Sequence, residues 1–325
     1  MIVLIVRRLG SALATLFLVC AAVFLLIQLA PGSAVDESSD QDGFNRLTTE
    51  SREELRRIYR LDRPLPVQFG LWLSDLARGD LGQSFANRQP VREKITERLG
   101  VTLTLNALAL TLMIGLSVPL GTLAAWRPGS RLDRWTATGL YALYAIPAFW
   151  AGLLLQNFLS VRLGWFPVAG SGSAELAGLS WGARSLDGIL HLVLPVLTLS
   201  YGGIAYLSRF VRATLLEQVG GETLLAVRAR GLSRWVALWR HGFRLAAVPM
   251  LTLAGFLLPA LFSGSVIVET LFSLHGVGRL FVDAALQRDV PVLMGLTLVS
   301  GATTLAGIVL ADIFYVVFDP RVHRG

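Results

Sequence analysis

"AVRARGLSRWVALWRHGFRLAAVP", residues 226–249, is a basic, helix-like segment between two of the most apolar stretches of the chain. The residues before Gly231 favour helix, and Gly231 then interrupts the pattern. Ala226 and Ala229 fall three apart on one face, which leaves a small-residue surface that another protein can approach closely. The segment therefore predicts a short helix held outside the bilayer between two membrane spans.

A second helix is expected to follow Gly231, because Ser233 is a suitable N-cap and apolar residues recur after it at helical spacing. This helix can lie against the membrane domain. An ordinary basic loop would account for the arginines, but it would not account for the small face, the single glycine hinge and the amphipathic helix. The residues on its apolar face are Trp235, Leu238, Trp239 and Phe243.

The composition of the whole chain predicts a polytopic membrane protein. Of 325 residues, 54% are hydrophobic and 16% are charged, and the mean hydropathy is +0.60. A soluble domain of ordinary size is less apolar. The net charge of +7 would suggest nucleic acid in a soluble protein, but in a membrane protein it follows from the arginine-rich cytoplasmic loops. We expect membrane lipid as a partner and no nucleic acid.

Residue counts argue against a metal centre or a nucleotide site in this chain. Cys20 is the only cysteine, and the four histidines share no ligand spacing. A phosphate-binding loop of the GxxxxGK[ST] type needs a lysine after glycine, but the only lysine, Lys94, follows Glu93. We therefore expect no cofactor and no metal bound by this chain, which is not an enzyme; if ATP is used, another subunit binds it.

Six apolar stretches are long enough to cross about 30 Å of hydrocarbon as helices, so the fold is expected to be all-α. They lie near 9–30, 101–126, 135–162, 190–210, 247–269 and 291–318. The predicted organisation is an N-terminal transmembrane helix (1–30), an external cap (31–100) and a core transmembrane domain (101–325) that contains the basic segment 222–249. The first stretch follows Arg7 and Arg8 and could be a signal peptide, but it is longer than the usual apolar core of one, which favours a retained anchor.

The distribution of arginines predicts the orientation. The loop after helix 2, the segment after helix 4 and the C-terminal tail are arginine-rich, so they and both termini are expected in the cytoplasm. The loop 31–100 is then external. Within it, "TTESREELRRIYRLDRP" and "QFGLWLSDLARGDLG" read as amphipathic helices, the second with Phe69, Trp72, Leu73 and Leu76 at helical spacing.

Prolines fall within or at the ends of several predicted spans. Each one removes a backbone donor and can kink its helix. Kinked helices suit a pathway that opens alternately to either side, but the same prolines can serve local packing, and the sequence leaves both readings open. The residues are Pro119, Pro147, Pro195 and Pro259.

"ARGLS" followed by His241, Arg244 and Pro249 resembles the coupling motif of the membrane subunits of ATP-binding-cassette importers, in the oligopeptide, dipeptide and nickel permease family. The resemblance covers nearly the whole chain. It extends to "RLDRPLPVQFGLWLSDLARGDLGQSF", "IPAFWAGLLL", "LPVLTLSYGG", "VIVETLFSLHGVGRLFVDAALQRDVP" and "DIFYVVFDPR".

This resemblance implies the type I ABC importer permease fold and a multi-pass place in a bacterial plasma (inner) membrane. It implies four partners: a homologous second permease, two ABC ATPase subunits that carry ATP and Mg, and an extracytoplasmic substrate-binding protein. The implied function is import of di- or oligopeptides delivered by that binding protein.

The resemblance also suggests three groups of functional residues. For coupling to the ATPase these are Ala226, Arg228, Ala229, Arg230, Gly231, Leu232, Ser233, His241 and Arg244. For the external loop or gate they are Glu269, Phe272, Gly276, Gly278, Arg279 and Asp289. At the cytoplasmic end of the last span they are Asp312, Tyr315 and Asp319.

The sequence also suggests three alternative functions. A nickel or metal-chelate importer of the same family remains open. An ion-coupled carrier needs ionisable groups near mid-membrane, whereas Glu269 and Asp312 fall toward helix ends. A membrane-embedded serine enzyme would pair Ser263 or Ser265 with His275 or His191, but serines in spans usually pack closely or bond backbone carbonyls.

Overall fold

The computed structural model describes residues 2–29, 62–172, 180–219, 229–243, 257, 261 and 264–318. This part of the chain is helical, and an isolated bridge between Gln83 and Pro90 is its only extended pairing. The predicted all-α fold is confirmed. The helices are α1 (Ile2–Leu29), α2 (Leu65–Ala77), α3 (Val91–Trp126), α4 (Arg131–Tyr144), α5 (Ala148–Leu155), α6 (Trp181–Val219), α7 (Arg234–Ala237), α8 (Val266–Leu271), α9 (Val277–Leu286) and α10 (Val290–Phe318).

Among the described residues, four helical segments are long and apolar enough to cross a membrane: Gly10–Leu29, Val91–Trp126, Trp181–Glu217 and Val290–Val309. A fifth crossing is formed if α4, α5 and the π-helical turn Gln156–Arg162 are taken together. The predicted span 247–269 lies largely outside the described residues, so the total of six remains a prediction. Most of the predicted first cap helix, and residues 222–228 and 244–249 of the coupling segment, also lie outside them.

Helix α3 begins ten residues before the predicted start of its span. The extra turns are amphipathic, and they bury Val91 and Ile95 against Val277 and Leu280 of α9 and against the start of α10. Pro90 stands just before the helix, where a missing backbone N–H costs nothing. The apolar sequence predicted only the part of α3 that is long enough to cross the membrane. The helix begins earlier because its first turns pack against α9 and α10.

Helices α3 and α6 form the most extensive helix pair in the described structure. Gly121 lets them meet backbone to backbone, because a Cβ there would lie 2.5 Å from the Ser208 carbonyl oxygen and 2.7 Å from Val211 Cβ. Helix pairs in membranes gain stability from this kind of close packing rather than from the hydrophobic effect. Pro119 and Pro195 lie inside these helices without ending them.

The third predicted span is two helices rather than one. Helices α4 and α5 are bent by 95° at the short break that contains Pro147. A proline can supply such a break because it offers no backbone N–H and disfavours helix in the residue before it. The predicted range 135–162 therefore contains a sharp corner instead of one continuous helix.

Two ends of the bundle carry buried polar groups. We name them by one residue each: the Arg212 end, where α4 begins and α6 ends, and the Glu269 end, where α3 begins and α8 meets α9.

Helices α1 and α2 pack beside α10. The ring of Phe69 on α2 lies 5.7 Å from Phe17 and 5.3 Å from Phe24 of α1, which holds the second predicted cap helix on the first span.

The Gly121 contact generates a test of the helix packing. We expect Gly121→Ala to lower the free energy of unfolding by about 1–3 kcal/mol, because its methyl group would meet backbone atoms of α6 that cannot rotate away. The matched control is Gly115→Ala on the same helix, where the added Cβ meets nothing within 4 Å. Thermal unfolding in detergent measures both; equal melting temperatures for the two variants would contradict the packing described.

Candidate functional site

At the Arg212 end, the predicted coupling segment is exposed. Ala229, Arg230, Gly231, Leu232 and Ser233 are all solvent-accessible. Gly231 has a φ of 85°, in the left-handed region that favours glycine, and the helical turn at Ala229 ends there. The prediction that Gly231 breaks the helix is confirmed.

The second helix of the segment is anchored to the membrane domain, as predicted. The Val236 N–H donates to Ser233 Oγ at 3.4 Å, so Ser233 caps α7. Helix α7 continues into the π-helical turn Leu238–Gly242. Leu238 is fully buried in a cluster with Ala125 of α3 and two residues of α6, Val211 and Leu215. An exposed turn is thus carried on a helix that is fixed to the two central spans.

A row of aromatic rings links the same helix to the end of α3. Trp126 and Trp235 lie 5.3 Å apart between centroids, Trp235 and Trp239 5.8 Å, and Trp239 and Phe243 5.6 Å. Edge and stacked contacts at these distances are favourable. The aromatic residues of the predicted apolar face therefore contact one another and Trp126, while Leu238 alone is fully buried.

An ion pair fixes the start of α4 to α6 beside this segment. Arg212 donates from Nε to Asp133 Oδ1 at 2.7 Å and from Nη2 to Oδ2 at 2.8 Å. The Gly129 N–H also donates to Asp133 Oδ2 at 2.8 Å. Asp133 is only 4% exposed, so its charge depends on these donors.

At the Glu269 end, a carboxylate is completely buried and accepts hydrogen bonds at both oxygens. Glu269 is 0% exposed. Its Oε1 accepts from Thr102 Oγ1 at 3.0 Å and from the Ser265 N–H at 3.2 Å, and its Oε2 accepts from the Arg279 N–H at 3.0 Å. Thr102 Oγ1 in turn accepts the Val277 N–H at 2.8 Å. This network ties α3, α8 and α9 together.

Two glycines make room for that carboxylate. A Cβ on Gly276 would lie 2.3 Å from Glu269 Oε2, and a Cβ on Gly278 would lie 3.0 Å from the same atom. A side chain at Gly276 does not fit while Glu269 stays in place, and one at Gly278 would also meet the Val266 backbone nitrogen at 2.7 Å. The predicted gate residues Glu269, Gly276, Gly278 and Arg279 therefore form one site, in which Arg279 contributes its backbone N–H.

Phe272 belongs to the adjoining core rather than to the polar network. Its ring is packed with Leu105, Leu194, Val268 and Leu274. Its carbonyl accepts the Gly170 N–H at 2.8 Å. Gln156, from the π-helical turn after α5, donates through Nε2 to the Leu271 carbonyl at 3.2 Å. The turn after α8 is thus held by the chain that follows the bent span.

Asp289 forms a separate site nearby. It is 1% exposed; its Oδ1 accepts the Phe85 N–H at 3.0 Å, and its Oδ2 accepts the Ser84 hydroxyl. Lys94 Nζ donates to Ser84 Oγ at 2.7 Å and lies 3.7 Å from Asp289 Oδ2. This arrangement joins the segment before α3, the first turn of α3 and the start of α10.

Several predicted residues cannot be compared with the structure. Ala226, Arg228, Arg244 and Asp319 lie outside the described residues. The backbone of His241 is in the π-helical turn, and the backbones of Asp312 and Tyr315 are in α10, but their side chains are outside the described part. The functional roles given to all the site residues remain predictions.

The sequence reasoning missed the partners of the buried carboxylates. Lys94 stood out as the only lysine, but nothing near it in the chain indicated Asp289. Asp133 and Arg212 lie 79 positions apart. Each lies in an arginine-rich stretch of the sequence, and no local pattern there indicated that the two would pair. In the described part of the chain, no group of three or more His, Cys, Asp or Glu side chains is arranged to hold a metal ion.

Comparisons with known proteins bear on the whole chain. Residues 117–324 match the family "Binding-protein-dependent transport system inner membrane component", and residues 1–106 match the corresponding N-terminal family. The chain is 35% identical to the oligopeptide transport system permease protein AppB of Bacillus subtilis over 98% of both chains. It is 32% identical to the dipeptide transport system permease protein DppB of Lactococcus lactis over 99% of this chain and 100% of that protein.

A solved structure shows a similar fold. The inward-facing MetNI methionine ABC transporter matches with a TM-score of 0.51 and 18% identity, over 69% of this chain and 98% of the matched chain. Because the two chains share so little sequence, the similarity concerns the fold alone. The structural match confirms the prediction of the type I importer permease fold.

The ion pair at the Arg212 end predicts that removing one partner alone destabilises the fold, and that removing both costs less than the sum of the two single changes. We expect Arg212→Ala to lower the free energy of unfolding by about 3 kcal/mol, because it leaves the buried Asp133 carboxylate without its guanidinium. The double variant Asp133→Ala with Arg212→Ala should cost less than the sum of the two single changes. Denaturation in detergent measures all three.

Arg209→Ala is the matched control for this cycle, because Arg209 is on the same helix and stacks over the Tyr141 ring at 4.1 Å without pairing with a carboxylate there. Its loss should cost roughly 0.5–1 kcal/mol. Strictly additive single changes at Asp133 and Arg212 would show that the pair does not couple the two helices.

The Glu269 network predicts that the stability of the fold depends on the charge of this side chain as well as on its shape. Glu269→Gln should lower the free energy of unfolding by about 1–3 kcal/mol, because three donors face the two carboxylate oxygens and an amide offers one acceptor oxygen. Asp283→Asn on α9, where the carboxylate is half-buried, is the control and should change the melting temperature much less. If the two variants melt together, the three bonds to Glu269 do not stabilise the fold.

Proposed function

Because this chain belongs to the family of binding-protein-dependent transport system inner membrane components, we propose that it is the permease half of an ATP-driven importer of di- and oligopeptides. The single observation that carries the coupling role is the exposed turn Ala229–Ser233, held on a helix that Leu238 anchors to α3 and α6. A homologous second permease would supply the other half of the pathway, and two ABC ATPase subunits would bind ATP and Mg.

The proposed orientation puts the Arg212 end and both termini in the cytoplasm. Arginines at that end include Arg127, Arg131 and Arg134 in and beside the loop between α3 and α4. Positively charged short loops remain on the cytoplasmic side during insertion. The Glu269 end, together with α2 and the segment before α3, would then be external, where an extracytoplasmic binding protein delivers its cargo.

The proposed coupling step is a movement of the exposed turn with the ATPase. A small residue such as Ala229 lets the turn sit close to a cytoplasmic partner, and Gly231 sets the sharp change of direction after it. Because Leu238 packs between α3 and α6 and Trp235 contacts Trp126, displacement of the turn is transmitted to both central spans. The ATP-bound partner would favour one conformation of the permease through its higher affinity for it.

The external sites would serve the other end of the cycle. The Glu269 network and the Asp289 site hold α8, α9 and the segment before α3 in a fixed relation to α3 and α10. A docked binding protein would therefore push on a stiff surface. These residues act by positioning the external loops rather than by contacting the cargo.

We prefer peptides to nickel as the cargo because of the names of the similar proteins. Proteins that are similar to this chain over nearly their full length are named as oligopeptide and dipeptide permeases. Reconstitution with the cognate permease, ATPases and binding protein, followed by ATP-dependent uptake of labelled dipeptide, oligopeptide or Ni²⁺, tests the choice. Uptake of Ni²⁺ without peptide uptake would overturn it.

The coupling role predicts a selective loss of the ATPase. We expect Ala229→Trp to reduce the amount of ATPase that copurifies with the tagged chain by about 10-fold or more, because a clash worth about 1.4 kcal/mol or more weakens binding that much. Ala86→Trp, which alters an exposed alanine at the other end of the bundle, is the matched control and should keep the ATPase. Both variants should retain the second permease.

Two results would contradict this role. If the unaltered chain purifies without any ATPase, the exposed turn is an ordinary basic loop. If Ala229→Trp keeps the ATPase and the ATP-dependent uptake of the unaltered complex, coupling occurs elsewhere on the chain.

A further inference from the structure

The corner between α4 and α5 lies near the middle of the membrane. Helix α4 runs antiparallel to α6: Asp133 pairs with Arg212, the Tyr141 ring contacts Arg209, and the Ile146 carbonyl accepts the hydroxyl of Tyr201. Tyr201 is eleven residues from Arg212 along α6, which is about 16 Å of helix. That distance is roughly half of the 30 Å hydrocarbon thickness.

The chain continues from this corner to the opposite end of the bundle. After the π-helical turn, Gly170 donates its N–H to the Phe272 carbonyl at the Glu269 end. The bent pair therefore starts at one end and finishes at the other. It is a broken span rather than a loop that enters and leaves on the same side.

The break leaves backbone groups without helical partners. No side chain caps the start of α5, and Pro147 has no N–H. The first N–H groups of α5 that find an acceptor are those of Trp150 and Ala151. Both donate to the carbonyl of Pro147, the residue before the helix, at 3.0 Å each. The N–H groups of Ala148 and Phe149 precede them and have no acceptor within α5.

The same corner is open to its surroundings. All residues from 141 to 150 are exposed except Ile146, which is half-buried. Lipid tails offer no hydrogen-bond acceptor, and each unpaired amide in hydrocarbon costs several kcal/mol. Irregular backbone at this depth is tolerated where it is covered by protein or lines a water-filled cavity.

The side chains around the corner favour water. Tyr141 is 52% exposed, Tyr144 59% and Tyr206 52%, and each has a hydroxyl that needs a hydrogen-bond partner. Arg209 is exposed as well, and its guanidinium stacks on Tyr141. Arg209 is three residues from Arg212 and so, with Tyr141, lies nearer the end of the bundle. Tyr144 and Tyr206 lie closer to the corner, and their exposed hydroxyls are poorly suited to lipid tails.

We propose that residues 141–150, with Tyr206 and Arg209 of α6, line a water-filled passage through the membrane, in which the free N–H groups of Ala148 and Phe149 and the tyrosine hydroxyls form a hydrogen-bonding wall for a hydrated peptide. This inference rests on the proposed transport function. The hydrogen-bond donors on this wall match the carbonyl-rich backbone of a peptide, and Arg209 matches its terminal carboxylate.

Cysteine accessibility tests the passage directly. In a Cys20→Ala background, which removes the only native cysteine, Ala148→Cys should react with a charged methanethiosulfonate reagent in the assembled transporter, when the reagent reaches both sides of the membrane. Leu18→Cys on α1, 65% exposed in the apolar span Gly10–Leu29, is the lipid-facing control. The expected difference in rate is roughly 100-fold, because a charged reagent enters hydrocarbon at high cost.

Ala145→Cys provides a second position if Ala148→Cys does not assemble, and copurification of the second permease and the ATPases with each variant shows that the complex is intact. Slow reaction at both corner positions in an assembled complex, whose parent imports peptide, would overturn the passage, while the proposed function would stand. Crosslinking of the same cysteines to the second permease would then identify the corner as a subunit contact. A parent complex that imports no peptide would overturn the proposed function separately from the reactivity of the corner.

Discussion

The backbone contact between α3 and α6 at Gly121 is the constraint on which the other parts of this structure depend. With no side chain at this position, the two longest spans meet directly, and each then carries groups at both ends of the bundle. On α3, Thr102 and Ala125 are 23 positions apart, about 34 Å along a helix. Thr102 donates to Glu269 at one end, whereas Ala125 packs against Leu238 of the coupling segment at the other. The pair therefore links the two ends mechanically.

The three buried carboxylates of this region all lie near the ends of helices, and each is satisfied differently. Asp133 has a bidentate guanidinium, Glu269 has a hydroxyl and two backbone N–H groups, and Asp289 has a hydroxyl, a backbone N–H and a nearby ammonium. Burial of an unpaired charge is strongly unfavourable, so each carboxylate fixes the elements that supply its donors. Because each carboxylate holds its neighbouring elements together, the two ends of the bundle are suited to move as units.

Prolines have different consequences in different spans. Pro119 and Pro195 stay inside continuous helices, and these helices pack closely against each other. Pro147 stands at a 95° break whose surroundings are exposed. A proline removes one donor in every case; whether the helix continues depends on the neighbours that hold its two halves in line. The break is therefore a property of the helices packed around α4 and α5.

The sequence alone determined the class of the protein, because hydrophobic stretches of membrane length and arginine-rich loops act locally and can be counted along the chain. It also located the hinge at Gly231 and the helix after it, since a single glycine and an i, i+3, i+4 pattern are short-range signals. The tertiary structure decided which polar groups meet. Asp133 and Arg212, Lys94 and Asp289, and Thr102 and Glu269 are distant in the chain. Only the packing of α4 against α6, and of α3 against α8 and the start of α10, brings them within bonding distance. It also decided the corner at Pro147, because the direction of a chain after a break is set by the helices it packs against rather than by the proline itself.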